Sequence, residues 1–216
     1  TIKVDKVRHP RELVLPIVAM AFIVLISNIL VQFLLGSWLT WGALTYPFAF
    51  LITDLTNRFY GKHAAAKVVL WGFFVGVFCS FMGTQISGEF GPLVTFRIAI
   101  GSAAGFLVSQ LLDISIFNLL RNKKWWKAPL ISSFLGSSID TSIFFFIAFS
   151  ASLAFLEPTN DISWALQKVP VLGLFGFAPL WISLALADFL LKMALIIFSL
   201  IPFRILTIFK YLKANS

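Results

Sequence analysis

Charged residues are scarce in this sequence of 216 residues. Asp, Glu, Lys and Arg together make up 12%, and hydrophobic residues make up 59%. Soluble domains carry roughly 25% charged residues. A soluble fold of this size could not bury so much apolar surface, because a large share of its surface stays in contact with water. The composition predicts one membrane domain over residues 1–216 and leaves no room for a separate soluble enzyme.

Residues and motifs that carry reactive chemistry are also few. The single cysteine, Cys79, excludes an intramolecular disulfide, and the two histidines, His9 and His63, both lie in basic stretches. The sequence has no phosphate-binding Gly loop or Walker motif, so the chain is not expected to hydrolyse ATP. It also lacks a Ser/His/Asp arrangement typical of a protease. We therefore predict neither an enzyme nor a bound cofactor or metal.

Long apolar runs dominate what remains. A spanning helix needs about 20 mostly apolar residues. The runs predict an all-α integral membrane protein with about six transmembrane helices, at residues 13–35, 40–56, 64–85, 94–120, 128–155 and 177–201. The second is short and contains Pro47, which should kink it. Prolines and glycines in 157–176 argue against a continuous helix there, and its apolar residues suit either a membrane-surface segment or a lid.

The basic residues, which give a net charge of +8, alternate between the predicted loops. The opposite loops hold Glu89, Glu157 and Asp161, with Lys168 as their only cation. Because cytoplasmic loops of membrane proteins are enriched in Lys and Arg, this pattern predicts that both termini are cytoplasmic. The basic clusters are Lys3, Lys6, Arg8 and Arg11; Arg58, Lys62 and Lys67; Arg121, Lys123, Lys124 and Lys127; and Arg204, Lys210 and Lys213.

Several ionisable side chains fall inside the predicted helices. An ionised group at mid-bilayer costs about 2.5 kcal/mol or more, so those that are retained usually face a cavity or a partner. Their number here exceeds what a purely structural bundle needs, and it predicts a polar site for a small molecule. The ionisable residues are Asp54, Arg97, Asp113, Asp140, Asp188 and Lys192, and the nearby amides are Asn28, Gln32, Asn57, Gln110 and Asn118.

Spacing places some of these residues on shared helix faces. Asn28 and Gln32 are four residues apart, and they would either bond a neighbouring helix or contact a ligand. Asp54 and Arg58 have the same spacing and could form an ion pair near the cytoplasmic end. In that case Asp54 would still lie near the transport pathway.

The later helices carry the deepest charges. Asp140 is the most central carboxylate, and we expect it to act directly on a ligand. Asp188 and Lys192 either neutralise each other or separate, with Lys192 pairing to another helix and Asp188 facing the substrate. Gln110 and Asp113 share one face, whereas Arg97 could be a site residue or a snorkelling anchor; these three complete the candidate set.

The motifs that carry these residues resemble the bacterial queuosine precursor transporter family, also called the vitamin uptake transporter family. The resemblance runs along nearly the whole chain, with the motifs in the family's order. They are Ser27-Asn28-x-Leu30-Val31-Gln32, Trp41-Gly42-Ala43-x-x-Tyr46-Pro47, Phe50-Leu51-x-Thr53-Asp54-Leu55-Thr56, Tyr60-Gly61, Arg97-Ile98-Ala99, Gln110-x-x-Asp113, Trp125-Trp126-x-Ala128-Pro129, Asp140-Thr141, Phe146-Ile147-Ala148-Phe149 and Asp188-x-x-x-Lys192.

The resemblance implies a multi-pass protein of the bacterial inner membrane that imports 7-cyano-7-deazaguanine and 7-aminomethyl-7-deazaguanine. Such bases keep the guanine edge, whose paired donors suit a carboxylate acceptor. An amide such as Gln110 or Asn28 could read the other ring atoms. Tyr46, Phe48 and Phe144 lie near the motifs and could stack on the base.

The expected partners are therefore a deazapurine base and membrane lipid, with no nucleic acid and no ATPase; a homo-oligomer is left open. Two alternatives remain at this point. One is the substrate-binding subunit of an energy-coupling-factor vitamin importer, which would need separate ATPase and scaffold subunits. The other is a non-transporting structural membrane protein whose buried charges only hold helices together.

Overall fold

A computed structural model describes residues 10–36, 38–88 and 91–215. The predicted basic residues Lys3, Lys6 and Arg8, together with His9 and Glu89, lie outside the described residues. The α-helices are α1 Val14–Leu30, α2 Trp41–Thr45, α3 Phe48–Tyr60, α4 Lys62–Gln85, α5 Phe96–Leu120, α6 Lys127–Phe149, α7 Ser163–Leu166 and α8 Leu180–Asn215.

The predicted all-α membrane class is confirmed. In the described part of the chain, five helices are long and apolar enough to cross a membrane: Arg11–Leu30, Lys62–Gln85, Phe96–Leu120, Lys127–Phe149 and Leu180–Leu212. The remaining predicted segment, 40–56, is two shorter helices, α2 and α3, which meet at Tyr46 and Pro47. Pro47 has no N–H to donate, and short-range bonds from Ala49 N to Tyr46 O and from Phe50 N to Pro47 O restart the chain as α3.

Three predicted helix ends are wrong. Helix α1 ends at Leu30 rather than at residue 35, because a two-stranded hairpin, β1 Leu34–Leu35 and β2 Leu39–Thr40, follows it. Helix α6 ends at Phe149 rather than at residue 155, and a 3₁₀ helix, Ala151–Leu156, continues from it. Helix α8 runs through Pro202 to Asn215 instead of ending at residue 201, since membrane helices tolerate an internal proline.

As predicted, the segment between α6 and α8 does not form a continuous helix. It contains α7, the strands β5 Lys168–Pro170 and β6 Phe177–Pro179, and a 3₁₀ turn, Val171–Gly173, at the hairpin tip. A third small hairpin, β3 Ser87–Gly88 with β4 Gly91–Pro92, connects α4 to α5.

Helices α5 and α6 lie unusually close together, and small residues explain why. A Cβ atom added at Gly101 would lie 3.1 Å from Phe144 O, and one at Gly105 would lie 3.1 Å from Asp140 Oδ1. On α6, a Cβ at Gly136 would lie 3.3 Å from Ser109 O of α5. The Gly-x-x-x-Gly spacing of α5 is typical of close helix contacts in membranes, and it brings the polar residues of α5 and α6 together.

The basic segments meet at one end of the bundle. The Arg58 guanidinium donates to Arg121 O at 2.8 Å, Arg121 donates to Asn57 O at 2.7 Å, and the Arg204 guanidinium lies 5.0 Å from the centre of a Trp125 ring. At the start of α5, the Glu157 carboxylate accepts bonds from the backbone N–H groups of residues 96 and 97, both at 3.1 Å. This separation of charge agrees with the predicted alternation; the cytoplasmic location of the termini stays a prediction.

Candidate functional site

An ion cluster joins α6 and α8 in the interior. The Lys192 ammonium lies 2.8 Å from Asp140 Oδ2 and 2.6 Å from Asp188 Oδ2. The side chains of Lys192 and Asp140 are each 6% exposed, and that of Asp188 is 15% exposed. Lys192 therefore pairs with Asp188 on its own helix, as in the first sequence alternative, and also with Asp140 on another helix. The contact of Asp188 with substrate stays a prediction.

Thr141 and Tyr46 complete what we call the central cluster, defined as Tyr46, Asp140, Thr141, Asp188 and Lys192. The Thr141 hydroxyl accepts from Lys192 Nζ at 3.0 Å and donates to Asp188 Oδ2 at 2.8 Å. The Tyr46 hydroxyl donates to Asp140 Oδ1 over a long 3.3 Å, and the Tyr46 ring centre lies 5.5 Å from Lys192 Nζ.

The central cluster keeps acceptor capacity for a ligand. With both carboxylates and the ammonium ionised, its net charge is −1. Within the described residues, Asp188 Oδ1 accepts no hydrogen bond, and Asp140 Oδ1 accepts only the long bond from Tyr46. A buried carboxylate oxygen of this kind binds N–H donors strongly, because the bond is charge-assisted.

A second group of carboxylates lies closer to the basic end, and we call it the carboxylate pair: Asp54 of α3 and Asp113 of α5. Asp54 is 2% exposed and Asp113 is 0% exposed. The Ser133 hydroxyl lies 3.2 Å from Asp54 Oδ2 and 3.3 Å from Asp113 Oδ1, and the Ser132 hydroxyl donates to Asp54 Oδ1 at 3.4 Å. In the described residues, the hydrogen-bond donors to these two acids are therefore serine hydroxyls.

The predicted ion pair between Asp54 and Arg58 is not formed. Asp54 points to the serines of α6, whereas the Arg58 guanidinium bonds Arg121 O and lies 5.2 Å from the centre of the Phe117 ring. The four-residue spacing puts both side chains on one side of α3, but each has a better partner on a neighbouring helix.

Three fully buried polar atoms near these clusters have no partner in the described part of the chain. They are Gln110 Nε2, Asp113 Oδ2 and Ser137 Oγ. The other end of the Gln110 amide accepts from the Thr53 hydroxyl at 2.6 Å. Gln110 and Asp113 are both 0% exposed, as expected if they share the buried face of α5.

Two predicted site residues lie away from both clusters. Arg97 is 0% exposed and donates to Ile147 O at 3.0 Å and to Ser150 O at 2.6 Å, so it fastens α5 to the end of α6 and does not snorkel towards water. Gln32 lies beyond the end of α1 and is exposed, so the prediction that it shares a helix face with Asn28 is wrong.

Asn28 lines a narrow crevice between α1, α2, α4 and α5, together with Tyr46, Phe73, Ser102 and Phe106. The Asn28 amide donates to Val24 O at 2.8 Å, and the Tyr46 and Phe106 rings meet edge to face with their centres 6.0 Å apart. Tyr46 connects this crevice to the central cluster, since its hydroxyl reaches Asp140.

The remaining amides bond within the protein scaffold. Asn57 donates to Ile114 O at 3.0 Å, and Asn118 accepts from Arg121 at 3.1 Å. Phe144, a candidate for stacking on a ligand, packs against Phe145 and Phe149 with ring centres 5.1 and 6.2 Å away.

Sequence reasoning missed the hydroxyl groups that hold the carboxylates. Ser137 follows Ser133 by four residues, and Asp140 follows it by seven, so all three fall on one face of α6. This periodic row of polar residues in an otherwise apolar helix is a usable signal. The sequence indicated a role only for the ring of Tyr46, although its hydroxyl makes the contact with Asp140.

Comparison with known proteins gives one family and three relatives. Residues 40–207 match the family described as "Putative vitamin uptake transporter". The chain is 41% identical over 137 residues to the "Probable queuosine precursor transporter" of Haemophilus influenzae and 39% identical over 137 residues to the "Queuosine precursor transporter" of Escherichia coli. It is 26% identical over 187 residues to the "Probable queuosine precursor transporter" of Bacillus subtilis.

These matches cover 58%, 57% and 77% of this chain. They cover 57% of the Haemophilus protein and 62% of the Escherichia protein, which is less than two thirds of either, and 71% of the Bacillus protein. No solved structure matches the chain.

Proposed function

This chain belongs to the vitamin uptake transporter family, and from that premise we propose that it imports 7-deazaguanine precursors of queuosine across the bacterial inner membrane. The family membership confirms the resemblance that the motifs indicated, and the family is one of transporters rather than enzymes. The choice of substrate rests on the relatives' names and on the chemistry of the central cluster.

The observation that carries this proposal is the central cluster itself. Asp140 and Asp188 are held by one ammonium, and each keeps an oxygen with capacity for a further donor. The guanine edge presents N1–H and a 2-amino group as adjacent donors, which match carboxylate acceptors. Lys192 places a positive charge beside both carboxylates, and bonds from ionised carboxylates to a base would be charge-assisted.

The crevice beside Tyr46 is the proposed binding place for the flat ring of the base. Tyr46, Phe73 and Phe106 supply aromatic surface, and Asn28 supplies an amide. Stacking of a base on an aromatic side chain contributes about 1–3 kcal/mol. The crevice is narrower than a purine base, so we propose that the helices around it move apart when substrate enters.

Among the residues predicted from sequence, we propose that Asp140, Asp188, Lys192 and Asn28 contact substrate. We leave Gln32 and Arg97 out of this set, because Gln32 is exposed beyond the end of α1 and Arg97 bonds backbone carbonyls at the end of α6. We further propose that the chain is one transmembrane domain with both termini in the cytoplasm, because its basic segments share one end.

The proposal is tested in cells that cannot make deazaguanines and lack their own importer. With this protein expressed, tRNA from cells given 7-cyano-7-deazaguanine should contain queuosine. Asp188→Asn should lose this rescue at equal expression, whereas Asp161→Asn, on the exposed outer segment, should keep it.

Two results would contradict the proposal. If the wild type restores queuosine and Asp188→Asn restores it equally well, the central cluster does not bind the substrate. Uptake of an unrelated vitamin without rescue by deazaguanine would overturn the substrate and leave the family membership intact.

A further inference from the structure

The carboxylate pair differs from the carboxylates of the central cluster, because no cation of the described residues lies at ion-pair distance from it. The neighbouring helices each direct their charged groups elsewhere. On α3, Arg58 bonds Arg121 O instead of Asp54. On α5, Gln110 is neutral, and on α6, Asp140 is held by Lys192.

Helix α8 also places no charged side chain in the described wall of the crevice beside the pair. A crevice reaches the pair from that side, and the residues of α8 that line it are Ile196, Ser199, Leu200 and Phe203. Asp54, Ser133 and Ser199 form the polar part of its wall. Two ionised carboxylates in such a place would repel each other with no counter-charge at ion-pair distance, which is strongly unfavourable.

The single hydrogen of the Ser133 hydroxyl also favours one protonated carboxyl group in the pair. A serine hydroxyl has one hydrogen to donate and two lone pairs to accept with. Its Oγ lies within 3.3 Å of a carboxylate oxygen of Asp54 and of one of Asp113. If the single hydrogen of Ser133 is shared between both oxygens, the bond is bifurcated and each half is weak. Two full hydrogen bonds form when one of these carboxyl groups carries a proton and donates it to Ser133.

Fully buried atoms without partners surround the same place. Asp113 Oδ2 bonds nothing in the described part of the chain, and neither does Ser137 Oγ, one helical turn from Ser133. Ser137 lies between Ser133 and Asp140 on α6, a span of seven residues or about 10 Å at ~1.5 Å per residue. The polar row therefore runs from the carboxylate pair towards the central cluster.

We propose that Asp54 and Asp113 share one proton through the Ser133 hydroxyl, and that this pair is the site of the proton whose movement drives import. The geometry of the pair is the only support that the shared proton needs. Its coupling to import rests on the proposed function. During the cycle the proton binds the pair from one side of the membrane and leaves it to the other, with no covalent change in the protein.

Infrared spectroscopy of the purified protein tests the shared proton without any substrate. At neutral pH the wild type should show the C=O stretching band of a protonated carboxyl group. The double variant Asp54→Asn/Asp113→Asn should lose that band, and Ser133→Ala should shift it, because its hydrogen-bond partner is gone. Asp161→Asn is the control that should leave it unchanged.

Identical carboxyl bands in the wild type and the folded double variant would overturn the shared proton. A band that Ser133→Ala leaves in place, at the same frequency, would overturn the bridging role of Ser133.

Transport in liposomes tests the coupling. With labelled 7-cyano-7-deazaguanine and an outside-acidic pH gradient, the wild type should accumulate the base. Asp113→Asn fixes this side chain in a neutral form, so it should lose gradient-driven accumulation. It should still exchange labelled for unlabelled base, because exchange needs no net movement of protons.

Three outcomes contradict the coupling: accumulation by Asp113→Asn that equals the wild type, loss of exchange together with accumulation, or accumulation driven by a sodium gradient without a pH gradient. If the wild type neither exchanges nor accumulates the base, the proposed substrate fails. The infrared result then still decides whether the proton is present.

Discussion

The central cluster and the carboxylate pair hold two acidic side chains each, and both contact side chains of helix α6, yet they are stabilised differently. In the central cluster an ammonium lies within 2.8 Å of both carboxylates. In the carboxylate pair the nearest donors are serine hydroxyls at 3.2 to 3.4 Å. A fixed cation keeps carboxylates ionised and ready for a neutral ligand, whereas a pair without a cation is suited to binding and releasing a proton.

Lys192→Met should have the largest effect, because it would turn the central cluster into a second pair without a cation. Removing one partner of a buried ion pair costs about 3–5 kcal/mol. We expect a strongly reduced melting temperature and no uptake, measured by thermal unfolding in detergent and by liposome transport. The matched control is Lys124→Met, at an exposed lysine between α5 and α6, which should change neither the melting temperature nor uptake.

Adding Asp188→Asn to Lys192→Met should recover part of the lost stability, since one of the two uncompensated charges is then removed. A double variant no more stable than Lys192→Met would contradict the proposed charge balance of the cluster.

Gly105→Ala should disturb the central cluster and spare the carboxylate pair. The new Cβ would lie 3.1 Å from Asp140 Oδ1 and 3.2 Å from Asp140 O, so α5 and α6 would have to separate slightly. Overpacking of this kind costs about 1–3 kcal/mol. Uptake should fall while the infrared band of the carboxylate pair persists; loss of that band would show that the two clusters are not separable.

Ser133→Ala and Ser132→Ala sharpen the contrast within the carboxylate pair. Loss of one hydrogen bond costs about 1 kcal/mol, so both variants should fold. Ser133 lies at hydrogen-bond distance from both acids, whereas the hydrogen bond of Ser132 goes to Asp54, so Ser133→Ala should reduce gradient-driven accumulation far more than Ser132→Ala. Equal transport by the two variants would be evidence against a bridging hydroxyl.

Asp161→Asn should have the smallest effect. Asp161 is exposed in the segment between α6 and α8, and a hydrogen bond from the Ser163 backbone N–H holds the pKa of this carboxyl below its ordinary value. A lowered pKa in the folded state gives a contribution that is present above the ordinary pKa of Asp and is lost as the pH falls through the lower value. Asn keeps a side-chain oxygen that can accept the same hydrogen bond, so at neutral pH transport should match the wild type and the melting temperature should fall only slightly. A clear loss of uptake would give the segment between α6 and α8 a role in transport.

Sequence alone was sufficient for the membrane class and for most of the polar residues. Several apolar runs of spanning length in one chain are typical of membrane proteins, and residues such as Asp140 and Lys192 stand out because an ionised group in a bilayer is costly. The family motifs then indicated the expected substrate class.

The contacts between these residues could not be predicted, because they depend on how each helix is rotated and how far it extends. Lys192 bonds carboxylates on two helices at once, and Asp54 turns to α6 instead of to Arg58. Gln32 lies in an apolar run that is typical of a helix, yet α1 ends at Leu30 and a hairpin follows. Such ends are set by tertiary contacts that a single segment does not contain.

Direct binding of 7-cyano-7-deazaguanine to purified protein is the measurement that tests the substrate role of the central cluster most directly. The wild type should bind the base in a calorimetric titration. Asp140→Asn should fold with a similar melting temperature and fail to bind, because an amide N–H would then face the donors of the base. Binding of the wild type's strength by well-folded Asp140→Asn would contradict the account.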